Sequence, residues 1–335
     1  MNILAGTSSG LFAIEKNSHE PLAVLPERVV RDLADVGGRL LAGADTGLFA
    51  SDDGGRTWQP SGIEGRAVWD ILPGPNGGDR VYAGTQPAGL FQSADGGRSW
   101  QEIETFAQAP GAERWCVPVK PRQSGRARAL VVDKADPKRL WVGVEVGGVV
   151  STDNGGATWR IDLPGGNPDI HMMAAHPAKA GVLFASTGYG RIDGVAEMIE
   201  GNAGVFRSDD AGTTWRYAWR GIVPRYARPL CIDSRAPYAL TVASAPTAFS
   251  SYKDEGGAHA MLYRTEDGGE TWRSLGDAAH SPSPANFHGL VPDPSTPGGV
   301  LVGTDTGEVW QVSDAGAWRL LAKGMPSVLS ILALP

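Results

Sequence analysis

The sequence predicts an all-β fold: a single domain over residues 1–335, folded as a seven-bladed β-propeller with four-stranded blades. Three observations carry that expectation. One octapeptide recurs along the chain, a β-type hairpin precedes each copy, and the last residues read like the strand that the first hairpin lacks. Short strands grouped at intervals of about 40–60 residues are the mark of propeller blades.

The octapeptide reads SDDGGRTW at 51–58 and returns at 93–100, 152–159, 208–215 and 265–272, with a degenerate copy ending at Trp318. It is a turn device. The Asp or Asn side chain can bond nearby backbone N–H groups, Gly accepts a positive φ, and Trp supplies a wedge between sheets. Asp53, Asp95, Asn154, Asp210 and Asp267 are therefore read as turn builders, and catalytic carboxylates are sought elsewhere.

Each hairpin joins two β-type runs through small residues, near 3–12, 40–50, 81–92, 140–150, 182–206, 240–264 and 300–312. One more apolar run precedes most of them, as at 68–72, 130–132, 230–232 and 289–291, and a short fourth strand follows the octapeptide. The first hairpin has no such leading run, but SVLSILALP at 327–335 resembles AVWDILP at 67–73. The C-terminal segment is thus expected to be the innermost strand of the N-terminal blade, closing the ring and leaving no open sheet edge between first and last blades.

Composition fits this fold and excludes others. Gly (46), Pro (24) and Trp (11) suit many tight turns and large packing residues, while 20% charged residues are too few for a disordered chain. Cys116 and Cys231 could form one bridge at most and lack metal-ligand spacing, which excludes a disulfide scaffold. A net charge of −7 without basic runs argues against a nucleic-acid partner. No apolar run approaches the ~20 residues of a membrane span, and the N-terminus lacks a basic leader, so no membrane partner and a cytoplasmic location are expected.

The octapeptide is the Asp-box, and on these five strict copies the chain resembles the bacterial neuraminidase repeat proteins, which include sialidases, xyloglucanases, sortilin-type receptor propellers and a photosystem II assembly propeller. The motif is specific for the repeat and silent about activity. In chain order the octapeptides are turns between third and fourth strands. If the inner strand runs from top to bottom, they lie on the bottom face. The long connections at 103–126, 217–227 and 274–286, and the long turns at 188–203 and 246–260, then all fall on the top face. Long loops clustered on one face mark it as the working face.

Aligning the inner strands on their apolar cores places Arg31, Trp69, Arg128, His171, Arg228, His288 and Leu329 in one column, at the top entrance of the central channel. Cross-strand pairing sets Asp45 near Arg31, Glu145 near Arg128 and Asp305 near His288. The long loops, including the 217–227 connection, add Arg114, Trp115, Tyr189, Arg191, Arg225 and Tyr226 as further contacts for a bound molecule. Converging guanidinium groups suit a carboxylate, sulfate or phosphate, so a small anionic molecule is the expected ligand.

The resemblance to sialidases would make Arg31, Arg128 and Arg228 a carboxylate-binding triad, Tyr189 or Tyr226 a nucleophile, and Glu145 or Asp193 the acid/base. The departures are a missing early Arg-Ile-Pro motif and seven blades where sialidases have six. The expectation is accordingly an enzyme-like propeller that binds or acts on a carboxylate-bearing substrate such as a sugar acid, with no organic cofactor. Two other readings stand beside it. In one, His171 and His288 hold a divalent metal for a lyase or hydrolase step, with Glu145 or Asp305 assisting. In the other, the propeller is a scaffold or assembly factor for a protein partner.

Overall fold

The computed structural model describes all residues except 1, 17, 19, 76–77, 118, 189, 191–197, 249–253 and 335. Seven four-stranded antiparallel sheets follow one another around a central channel. Blade 1 pairs Asn2–Thr7 with Gly10–Ile14, Leu22–Pro26 and, on the inner side, Val328–Leu334. The inner strands of blades 2 to 7 are Val30–Val36, Ala67–Pro73, Arg126–Val132, Ile170–Ala175, Tyr226–Ile232 and Phe287–Pro292. Pairing of Val328–Leu334 with Asn2–Thr7 joins the two ends of the chain in one sheet. The 103–126 connection carries two 3-10 turns and a small sheet of Cys116–Val117 with Gln123–Ser124, elements not foreseen in the sequence.

Seven buried apolar clusters hold the ring, one at each junction between blades. Leu41 and Leu48 of blade 2, for example, pack on Ile71, Val81 and Ala83 of blade 3, and Trp141 of blade 4 packs on Ile170 and Leu183 of blade 5. Near the axis the blades converge, and the second strands of blades 1, 2, 3, 4 and 7 carry Gly6, Gly43, Gly84, Gly143 and Gly303 there. A Cβ on Gly84 would run into the Ala127 carbonyl of the next inner strand, so a side chain at this point would force two blades apart.

The Asp-boxes behave as turn devices. Asp53 Oδ1 accepts from the N–H groups of Arg56 and Thr57 at 3.0 Å, and its Oδ2 accepts from the Thr57 hydroxyl at 2.6 Å. Those donors hold the Asp53 carboxyl well below the usual range. Gly54 and Gly55 have φ of 76° and 90°, where an L side chain is strained. The Trp indole then ties the turn down: Trp58 Nε1 donates to the Gly55 carbonyl at 3.1 Å, and Trp272 Nε1 reaches the Ala218 carbonyl of the preceding blade at 2.8 Å.

Candidate functional site

Each inner strand contains a β-bulge at the same place. The register slips around Arg31, Trp69, Arg128, His171, the Arg228–Pro229 pair, His288 and Leu329, where the inner strand has one residue more than its partner. In a propeller the sheet faces pack on neighbouring blades, and the inner strand offers only its backbone edge to the axis. A bulge breaks the alternation and re-aims a side chain. Sevenfold repetition of the bulge turns seven side chains into one lumen, and all seven line the same cavity of about 120 Å³. That is room for several waters, or for the carboxylate end of a small molecule.

Trp69 is the platform on one side. The guanidinium carbons of Arg31 and Arg126 stand 4.0 and 4.3 Å from its ring centroid, and that of Arg128 stands at 5.2 Å. Such stacking contributes about 0.5–2 kcal/mol and keeps the guanidinium planes in fixed positions. Glu145, at the end of the neighbouring strand, meets Arg128 at 2.7 Å and Arg126 at 3.1 Å. Burial alone would push its carboxyl up, but Arg128 and Arg126 hold it down, to about 2.

Two guanidinium groups lack a close ion pair. Among the described residues neither Arg31 nor Arg228 has a carboxylate within 4.0 Å, and Arg31 Nε has no hydrogen-bond partner. Burial, then repulsion by Arg126 and Arg128, lowers the Arg31 pKa to about 10, with Asp45 acting in the opposite sense. Arg228 Nη1 lies 3.2 Å from His288 Nδ1, and since a guanidinium only donates, that ring nitrogen accepts. Burial and the charges of Arg228 and Arg128 push the His288 pKa well below its ordinary value, so the ring is a neutral acceptor.

His171 is set differently. Its Nδ1–H donates to the Ala227 carbonyl at 2.7 Å, its ring packs on Tyr226 with centroids 4.8 Å apart, and its Nε2 stands 3.3 Å from Asp169 Oδ1, out of line for a hydrogen bond. Asp169 is anchored by Gly190 N–H, 2.8 Å from Oδ2. Glu145, Asp169 and His171 form the one group among the described residues whose ligand atoms lie within 4.8 Å of one another. His171 and His288, the expected metal pair, line the same cavity; His288 Nδ1 faces Arg228, and Glu145 in the cluster around His171 carries two guanidinium groups.

Other expectations also need correcting. Asp305 does not pair with His288: its Oδ1 accepts the Asn286 N–H at 2.9 Å and so shapes the strand entrance. Trp115 packs on Phe106, ring centroids 5.1 Å apart, within the cluster between blades 3 and 4 rather than over the channel. Arg114 is exposed beside Glu113, and Arg225 is held by Glu200 at 3.0 Å. Burial pushes the Tyr226 phenol up, which works against its use as a nucleophile. Tyr189, Arg191 and Asp193 lie outside the described residues.

Four charged residues of the site were missed in the sequence. Arg126 sits two residues before Arg128, and Asp169 two before His171. Asp32 and Asp70 directly follow the bulge residues of blades 2 and 3 and line the same cavity. Asp32 Oδ2 accepts the Ile71 N–H of blade 3 at 2.6 Å, and Asp70 Oδ2 accepts the Leu130 N–H of blade 4. Burial raises both carboxyls, Asp70 to about 6, and the Asp70 charge raises Asp32 further.

Comparison with known proteins agrees with this architecture. The BNR/Asp-box repeat family matches residues 49–60. A xyloglucanase of Hypocrea jecorina (strain QM6a) is 28% identical over 156 residues, which is 47% of this chain and 16% of that protein, so the chain spans about a sixth of that relative's length. The crystal structure of the GH74 enzyme of Niastella koreensis matches with a TM-score of 0.65 and 15% identity over 95% of this chain and 46% of that one. The structure of YCF48 bound to D1 peptide matches with a TM-score of 0.55 and 14% identity over 96% and 84%.

Proposed function

The chain being a seven-bladed β-propeller of Asp-box repeats, similar in fold to glycoside hydrolase propellers, we propose that it binds or acts on a small carboxylate-bearing molecule, such as a sugar acid, at the top of its channel. One observation carries the reading: seven aligned bulges unload three arginines and two histidines into one small cavity, where Arg31 and Arg228 have no carboxylate within 4.0 Å among the described residues. A carboxylate entering there meets bidentate donors and relieves the repulsion that lowers Arg31. In this reading the acid end enters the cavity and the remainder points to the top face.

A thermal-shift panel of glucuronate, lactate, phosphate and magnesium tests the reading. A ligand at about 100 times its dissociation constant adds about 2.7 kcal/mol and moves the midpoint by several degrees. Glucuronate is expected to shift the native protein and to leave an Arg31→Met/Arg228→Met variant unmoved. Equal shifts in both proteins, or a shift with magnesium alone, would overturn it.

A peptide-binding role is the second reading, favoured by the exposed apolar side chains of Leu163, Ile199 and Val223 and by the fold shared with a propeller solved with a bound peptide. Its mark would be a midpoint shift with a short peptide that persists in the double variant.

A further inference from the structure

His171 and Asp169 meet in a way that hydrogen bonding does not explain. The Nδ1–H of His171 is spent on the Ala227 carbonyl at 2.7 Å, which leaves Nε2 as the nitrogen with a lone pair. That residue is 1% exposed, and its Nε2 has no hydrogen-bond partner among the described residues. Asp169 Oδ1 stands 3.3 Å from it, out of line for a hydrogen bond, so an acceptor nitrogen and an acceptor oxygen approach each other away from water. Two such atoms repel unless a positive charge lies between them.

Their spacing is that of two donors on one ion. Ligand atoms about 2.0–2.1 Å from a tetrahedral zinc stand about 3.3–3.4 Å apart. Glu145 completes the group, one ligand atom of each residue lying within 4.8 Å of the others. Arg126 and Arg128 donate three hydrogen bonds to Glu145, two on Oε2 and one on Oε1. A carboxylate offers about four lone-pair sites, so one remains, on Oε1. The other two donors are held from behind, as ligands of a metal commonly are: His171 through Nδ1–H on the Ala227 carbonyl, and Asp169 through the Gly190 N–H on Oδ2 at 2.8 Å, which leaves Oδ1. Glycine keeps the place clear. A Cβ on Gly188 would stand 2.3 Å from Asp169 Oδ2 and 2.9 Å from His171 Nε2.

We propose that Asp169, His171 and Glu145 bind a divalent ion of the zinc or cobalt type, with the fourth position left to water or to an oxygen of a bound molecule. The imidazole decides the class of ion. A nitrogen donor suits zinc and cobalt, whereas magnesium sheds its waters reluctantly and prefers oxygen ligands. Arg126 and Arg128 oppose any cation at Glu145, so the stronger bonds are those to His171 and Asp169. His288 takes no part, since its Nδ1 accepts from Arg228.

Cobalt(II) titration of the intact, chelator-treated protein, followed by visible absorption, tests this. Native protein is expected to bind one cobalt with the absorption of a four-coordinate ion and to release it to zinc, but not to magnesium. Asp169→Asn keeps an acceptor for the Gly190 N–H, and it and His171→Gln are each expected to weaken cobalt binding by about 100-fold or more, beyond what loss of a merely supporting residue costs. His280→Gln, which removes another imidazole paired with a carboxylate, is expected to bind as the native protein does. A folded native protein with no cobalt absorption, or absorption kept by both Asp169→Asn and His171→Gln, or absorption lost in His280→Gln, would overturn the proposal. A crystal of native protein grown with zinc reads the position without any variant. The anomalous peak is expected within bonding distance of His171 Nε2, and peaks confined to other histidines such as His280 would overturn the proposal. Neither measurement contains a carboxylate ligand, so failure here leaves the carboxylate-binding reading standing.

Discussion

At the scale of single residues, charge placement decides what the channel can hold. Glu145 neutralises part of two arginines, while Arg31 and Arg228 have no carboxylate within 4.0 Å among the described residues. Removing the Glu145 charge strands two buried guanidinium groups, so Glu145→Gln is expected to destabilise the protein by about 3–5 kcal/mol, read from denaturant melts. The sign of its pH dependence follows from its lowered pKa. A carboxyl held at about 2 instead of 4.5 stabilises the fold fully above pH 4.5 and loses that contribution as pH falls towards 2. Native protein should therefore lose stability over that interval, and Glu145→Gln should lose less. Asp70 runs the other way: its raised pKa makes the fold less stable as pH rises through about 6. The column of Arg31, Trp69, Arg128, His171, Arg228 and His288 was legible because it aligns with the apolar core of each strand. Asp32 and Asp70 were not. Under strict alternation a residue following a lumen-facing one belongs to another face, and only the bulge brings both to the cavity.

At the scale of the element, one plan recurs: a bulged inner strand, a second strand with small residues near the axis, a third strand ending in an Asp-box, and a short outer strand. The strands and boxes were readable from repetition, since turn chemistry and β-type runs are local signals. The small sheet in the 103–126 connection was not, because two-residue strands carry no period. Local consistency makes the element sensitive at two points. Gly84→Ala would press a Cβ against the Ala127 carbonyl and is expected to lower the melting midpoint by several degrees, more than Gly78→Ala, where the added Cβ meets open space. Trp58, 8% exposed between blades 1 and 2, should cost about 3–5 kcal/mol on truncation to Ala, with no change in the spectroscopic signature of the remaining blades.

At the scale of the whole molecule, the ring exists to hold seven strand entrances at one radius. No single blade can make the cavity, since its lining comes from all seven inner strands. Closure by Val328–Leu334 is therefore a condition of the site as well as of stability. A protein ending before residue 327 is expected to lose glucuronate binding and to melt earlier and less cooperatively, which circular dichroism would register. Ring closure was readable from the likeness of 327–335 to 67–73, whereas the balance of charge inside the ring depended on side chains from different blades and had no trace in any one segment. The most direct test of the account is a crystal structure of the protein grown with glucuronate. The carboxylate is expected in the channel mouth, within hydrogen-bond distance of Arg31 or Arg228 and beside Trp69. Glucuronate seated only on the bottom face or the outer strands, with the channel holding none of it, would contradict the account.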